Sequence, residues 1–199
     1  MADLREQLQQ LFQGRVCLMG LGNVALGDDG FGVRLAEAVI GSAWAIGTGS
    51  RVIIAGTTPE WLVGRAVDEH ADHVIFLDAV EFGGAPASVV LLDADAMANR
   101  FPQVSTHKLS LGLLARRVEA NGRTRAWLLG VQPESLGAHE ELSPAVAATL
   151  RLLLDLLRDC MSRSSRGNEA RAMISSEGRR REYQSLVTSA ATNGLGGTR

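Results

Sequence analysis

Val16-Cys17-Leu18-Met19-Gly20-Leu21-Gly22-Asn23-Val24-Ala25-Leu26-Gly27-Asp28-Asp29-Gly30-Phe31-Gly32-Val33-Arg34 is the stretch on which the fold turns. It reads as a strand, a glycine-rich turn and the start of a helix. Val16 to Met19 is a short apolar run, the pattern of a parallel strand covered on both faces. Gly20, Gly22 and Gly27 allow backbone angles or close approaches that a Cβ would hinder. Asp28 and Asp29 stand where a helix begins, a place suited to caps and to negative charge. Val33, Ala36 and Ile40 give that helix an apolar stripe, and Gly41 is its expected stop.

A Gly-x-Gly turn between strand and helix raises the question of a dinucleotide site. The fingerprint would be G-x-G-x-x-G, with small residues where the pyrophosphate meets the helix. Here Val24-Ala25-Leu26 intervenes and Gly27 falls out of place. Two carboxylates would also repel a phosphate at the helix start. The pair suits a cation, or serves only to cap the helix.

The chain outside this stretch sets the bounds. Its 199 residues suit one substantial domain, and 46% apolar content suits a packed core. The net charge of −2 divides unevenly. Residues 162–199 hold seven arginines and three glutamates, a balance of +4, which leaves −6 for the rest. Nothing is basic enough to make nucleic acid the partner. The two cysteines, Cys17 and Cys160, form neither a disulfide framework nor a zinc pair. With no signal-peptide pattern and no membrane-spanning run, a cytoplasmic, monomeric protein is expected, with no membrane association.

In chain order, residues 2–13 fit a short amphipathic helix. Arg51–Ala55, His73–Asp78, Ser88–Leu92 and Arg125–Val131 read as four further strands. The fourth of the five is expected to be antiparallel, since little chain separates it from the third. Thr58 and Pro59 read as N-cap and first turn of a helix near Trp61. Residues 94–106 read as irregular. Lys108–Ala120 reads as a helix stopped by Asn121-Gly122. Ser143-Pro144 opens a last helix with Val146, Leu150, Leu153 and Leu157 on one stripe. Strands alternating with helices predict a three-layer α/β sandwich, a twisted, mostly parallel five-stranded sheet between helices, of the phosphorylase/hydrolase-like kind. The domain is expected over residues 1–161. Residues 162–199, rich in Ser, Arg and Gly, are expected to form a mobile tail.

In such sheets the loops at the carboxyl ends of the strands make the site. Asp28 and Asp29 follow the first strand, Asp78 ends the third, and His107 precedes a helix. Each has an ordinary reading as a cap or a surface residue. Together, two carboxylates and an imidazole from separate loops would make a three-ligand site for Zn²⁺ or Ni²⁺. His139 is the alternative ligand. His70 and His73 read as surface residues, and Glu134 as a residue that organises its loop or contacts substrate rather than one that cuts. No nucleophile motif of the Gly-x-Ser-x-Gly type occurs.

The motifs then resemble a known family. Gly20-Leu21-Gly22-Asn23 through Gly27-Asp28-Asp29-Gly30-x-Gly32-Val33-Arg34, Thr58-Pro59-Glu60, Leu77-Asp78-Ala79, Thr106-His107-Lys108-Leu109 and Gly130-Val131-Gln132-Pro133-Glu134-Ser135-Leu136 stand in the order and spacing of the nickel–iron hydrogenase maturation proteases. The resemblance spans roughly residues 15–158. It implies an endopeptidase, aspartyl-type in its reliance on carboxylates, that removes a C-terminal peptide from the large-subunit precursor once nickel is inserted. The precursor would be the partner, and it would bring the nickel. The family's metal trio maps onto Asp29, Asp78 and His107. An aspartate that many relatives carry after the second strand is missing from Ile54-Ala55-Gly56, so its role has no carrier here. The competing reading is a nickel-sensing chaperone that holds the same precursor without cutting it.

Overall fold

The computed structural model describes residues 3–42, 50–68, 71–101 and 110–163. Helix α1 (Leu4–Leu11) leads into strand β1 (Val16–Leu21), a 3₁₀ turn (Gly27–Gly30) and helix α2 (Phe31–Gly41). Strand β2 (Arg51–Gly56) is followed by a second 3₁₀ turn (Pro59–Trp61) and helix α3 (Val63–Asp68). Then come β3 (His73–Ala79), β4 (Val89–Asp93), α4 (Ala94–Arg100), α5 (Leu111–Glu119) and β5 (Arg125–Val131). A last helix, α6, runs over 144–163. No described helix is long and apolar enough to cross a membrane.

The five strands form one sheet in the order β2-β1-β3-β5-β4. All pairings are parallel except β4 with β5. The antiparallel fourth strand is therefore as expected, but its neighbour is β5 rather than β3. Its short link to β3 crosses to the far side of β5.

Every residue of β1 is buried, as an apolar run between two helical layers requires. Side chains alternate between the layers. Cys17 and Met19 of β1, with Val74 and Phe76 of β3, pack with Val63 of α3, Met97 of α4 and Leu114 of α5. Leu18, Ile75 and Leu77 point the other way, toward Phe12, Phe31 and Leu35 near α1 and α2 and Leu153 and Leu157 of α6.

Several local expectations give way to tertiary contacts. Residues 94–100 are helical, not irregular. Asp93 caps α4 by accepting from the Ala96 amide at 2.8 Å. With Met97 as its single large apolar anchor, α4 has too little stripe for periodicity to find. Thr58 makes no capping bond, and the chain after it forms a 3₁₀ turn before α3 starts at Val63. Gly41 is the last residue of α2 and Ser42 its cap. Helix α5 is capped by Ser110, whose hydroxyl accepts from the Leu113 amide, and its expected start at Lys108 lies outside the described residues. The tail beyond residue 163 lies outside them as well.

Candidate active site

The chain leaves β1 toward β2 on one side, whereas β3 leads to β4 on the other. A crevice opens at the carboxyl ends of two adjacent parallel strands whose connections part in this way. Asp29 and Asp78 both stand there.

Helix α2 reaches the strand ends because glycine lets it. A Cβ on Gly32 would lie 1.9 Å from the Leu77 carbonyl oxygen and 2.6 Å from that of Leu21. Gly22 has φ +110°, and a Cβ there would meet the Asp29 carbonyl oxygen at 1.7 Å. The turn thus doubles back onto itself, with the 3₁₀ turn lying against the end of β3. Asp29 is 2% exposed, and its Oδ2 accepts from the Asn23 amide at 2.7 Å. Asp78 is 3% exposed and pairs in register with Gly130; its Oδ1 accepts from the Ala79 amide at 2.9 Å. Backbone N–H groups thus engage both carboxylates in the crevice.

Asp28 does different work. The expectation that it caps α2 fails: the cap is Gly30, with no side-chain bond. The Asp28 carboxylate turns instead into the segment after β5. Its Oδ2 accepts from the amides of Glu134 (2.8 Å) and Ser135 (3.0 Å) and from the Ser143 hydroxyl (3.0 Å). Its Oδ1 accepts from the Ser143 amide at 2.7 Å. Burial raises the carboxyl pKa, but these donors outweigh it and hold the group below its ordinary 3.8. Asp28 therefore clasps the loop between β5 and α6 to the turn after β1.

His107 lies outside the described residues, with Thr106 and Lys108. Among the described residues, no three His, Cys, Asp or Glu side chains cluster as a metal site. Two of the three expected ligands are thus brought to one end of the sheet.

His139, the alternative ligand, is committed to its own loop. Its Nδ1 meets the Glu141 carbonyl at 2.8 Å and must donate to it. In the neutral ring Nε2 is then an acceptor, which suits the Ser135 hydroxyl at 3.2 Å. His73 is not a free surface residue: it is half-buried at the start of β3, edge-on to Trp127, whose indole N–H donates to its Nδ1. Burial lowers the His73 pKa. His70 lies outside the described residues. The Glu134 backbone N–H donates to Asp28, while its side chain is exposed.

Gln132 stood in a motif of the sequence without a role of its own. Its Oε1 accepts from three successive amides, Phe82 and Gly83 at 3.0 Å and Gly84 at 3.2 Å. This pins the loop that follows Asp78. The Arg34 guanidinium likewise ties α2 to the Glu140 carbonyl. Neither contact has a signature in spacing, since each joins segments brought together only by the fold.

A family model described as hydrogenase maturation protease, HycI, matches residues 46–159, more than half of the chain. The chain belongs to this family. Its members hydrolyse peptide bonds, and the relatives carry names in keeping with that. The hydrogenase 2 maturation protease of Escherichia coli K12 is 32% identical over 145 residues, covering 71% of this chain and 87% of its own length. The crystal structure of the [NiFe] hydrogenase maturation protease HycI from Thermococcus kodakarensis superposes with a TM-score of 0.67 at 29% identity, covering 78% of this chain and 99% of that one. The maturating endopeptidase HybD from E. coli gives 0.62 at 27% identity, covering 75% and 93%. The five-stranded α/β sandwich is the maturation-protease fold. A holder that does not cut loses its ground beside relatives named as proteases.

Proposed function

We propose that this maturation protease removes a C-terminal peptide from the large-subunit precursor of a nickel–iron hydrogenase after nickel has been inserted. The observation that carries the reading is the buried pair Asp29 and Asp78 at the parting of two central parallel strands, each accepting from a backbone N–H. On this reading His107 joins them, and the three side chains meet the nickel ion seated in the substrate. Two hard carboxylates and one imidazole bind borderline divalent ions without selecting strongly among them. A metal that arrives with the substrate removes the need for such selection and orders events, with cleavage only after insertion. The bound ion would orient the scissile region and polarise it toward attack by water, while a carboxylate in the crevice takes a proton.

The test is cleavage of matched nickel-loaded and nickel-free precursor by chelator-stripped enzyme, read by product mass. Cutting of the loaded form alone is expected. Equal cutting of both would sink nickel gating, and full activity of His107→Ala would remove the third ligand.

A further inference from the structure

Four loops leave the carboxyl end of the sheet: 22–30, 57–62, 80–88 and 132–143. Together they hold seven carboxylates and neither a lysine nor an arginine. Glu81, Glu134, Glu140 and Glu141 among them are exposed. No ion pair between described residues involves any of these loops; the bridges fall at Arg5–Asp159, Arg15–Asp72, Arg125–Glu119 and Arg158–Asp155. Among the described residues, the Arg34 guanidinium reaches this end by donating to the Glu140 carbonyl. Of the seven, Glu60 has both carboxylate oxygens shut from solvent with no hydrogen-bond partner.

Three of the same loops also expose large apolar side chains. Trp61 is 76% exposed, Leu136 41% and Val24 39%. Each lies on a different loop, following β2, β5 and β1. Scattered single apolar residues are ordinary on a surface; three on loops at one end of one sheet, the end where Asp29 and Asp78 are buried, offer a partner a place to make contact. An exposed tryptophan is a residue type that dominates interface energetics.

We propose that this acidic, apolar-studded collar docks a segment of the substrate protein that carries basic side chains among apolar ones. The inference rests on the proposed cleavage function for the identity of the occupant. Charge complementarity sets the occupant's sign, and the apolar side chains beside the acids favour a folded or extended polypeptide over a polyamine or a simple cation. The exposed Glu81, Glu134, Glu140 and Glu141 would steer the segment toward the crevice, and Trp61, Leu136 and Val24 would hold it.

The experiment measures association and dissociation of the full-length protein with purified nickel-loaded precursor at about 50 mM and about 300 mM salt. It compares Trp61→Ala, Glu81→Lys and the double variant Glu140→Lys/Glu141→Lys, each checked for an unchanged melting temperature. Trp61→Ala should weaken binding by at least about tenfold, mainly in dissociation. The charge reversals should slow association by about three- to tenfold at low salt, and the difference should shrink at high salt. Wild-type binding by all three variants at both salts overturns the proposal. So does a charge effect that vanishes once residues 164–199 are removed, because the collar's occupant is then the chain's own arginine-rich tail. Loss of a self-associated species on light scattering, with precursor binding unchanged, would assign the collar to a second copy and overturn it too. Collar-dependent binding without any cleavage leaves docking standing and fells the cleavage reading. Cleavage with collar-independent binding does the reverse.

Discussion

The two ends of the sheet treat negative charge in opposite ways. At the amino end, Asp72 meets a cation: its Oδ2 accepts from the Arg15 amide at 2.8 Å and lies 3.4 Å from Arg15 Nε, with both side chains about half exposed. The Arg15 amide bond is foremost in lowering the Asp72 pKa, against the opposing effect of burial. Arg51, Arg123 and Arg125 are exposed at the same end. At the carboxyl end, Asp28 is fully buried and takes all its described hydrogen bonds from amides and a hydroxyl. Dipolar donors stabilise a carboxylate without cancelling its charge. Among the described residues, one end pairs its acid with a cation, while at the other Asp28 is held by dipoles alone.

The comparison breaks most sharply at Asp78. Asp78→Asn removes a charge from the crevice but keeps an acceptor for the Ala79 amide, so the fold should stand while cleavage falls by roughly 10²–10⁴-fold. The checks are melting temperature and turnover of nickel-loaded precursor. A variant that cuts normally would show that the charge at this end has no part in the chemistry. Asp29→Asn should behave alike.

Gly22→Val tests whether the carboxyl end is built as tightly as it looks. It combines a left-handed φ with a collision against the Asp29 carbonyl. Strain of about 1–3 kcal/mol and overpacking of about 1–3 kcal/mol should add to a loss of several kcal/mol, with Asp29 displaced. Denaturant unfolding reads the loss, and a wild-type midpoint would mark the turn as loose.

Asp28→Asn sharpens the comparison by separating clasp from catalysis. Hydrogen bonds to a charged group are worth about 1.5–3 kcal/mol, and the amide presents an NH₂ to donors that need an acceptor, so a loss of about 2–4 kcal/mol is expected. The sign with pH follows from the lowered pKa. The carboxylate's contribution is complete above the unfolded value near 3.9 and is lost as pH falls through the lower folded value. The stability gap between wild type and variant should thus narrow below about pH 4. A gap unchanged down to pH 2 would mean the charge is not what holds the loop.

The smallest effect belongs to the amino end. Arg15→Ala removes an exposed ion pair but keeps the backbone bond to Asp72, so it should cost about 0–1 kcal/mol, less at high salt, with turnover unchanged. A large loss there would erase the contrast between the two ends.

The sheet was legible because its signals are local. The run Arg125–Val131 is a strand to the residue, and the apolar run from Val16 is buried throughout, extending to Leu21. Its neighbours were not legible: β4 lies beside β5 and not beside β3, the strand it follows in the chain. Helix α4 escaped notice because one capping aspartate and one buried methionine leave almost no period to detect.

What the sequence determined by itself is the alternation of strand and helix, and hence the layered fold, since burial on two faces writes itself into runs and stripes along the chain. It also set Asp29 and Asp78 after the first and third strands, the candidate pair. Only the tertiary structure gave Asp28 its own role beside its neighbour. Both are buried and adjacent, yet Asp29 stays with the Asn23 amide of its own turn while Asp28 reaches 106 to 115 residues onward to Glu134, Ser135 and Ser143. A carboxylate's role depends on which donors surround it, and donors that distant in the chain become neighbours only when the sheet brings β1 and β5 to one end.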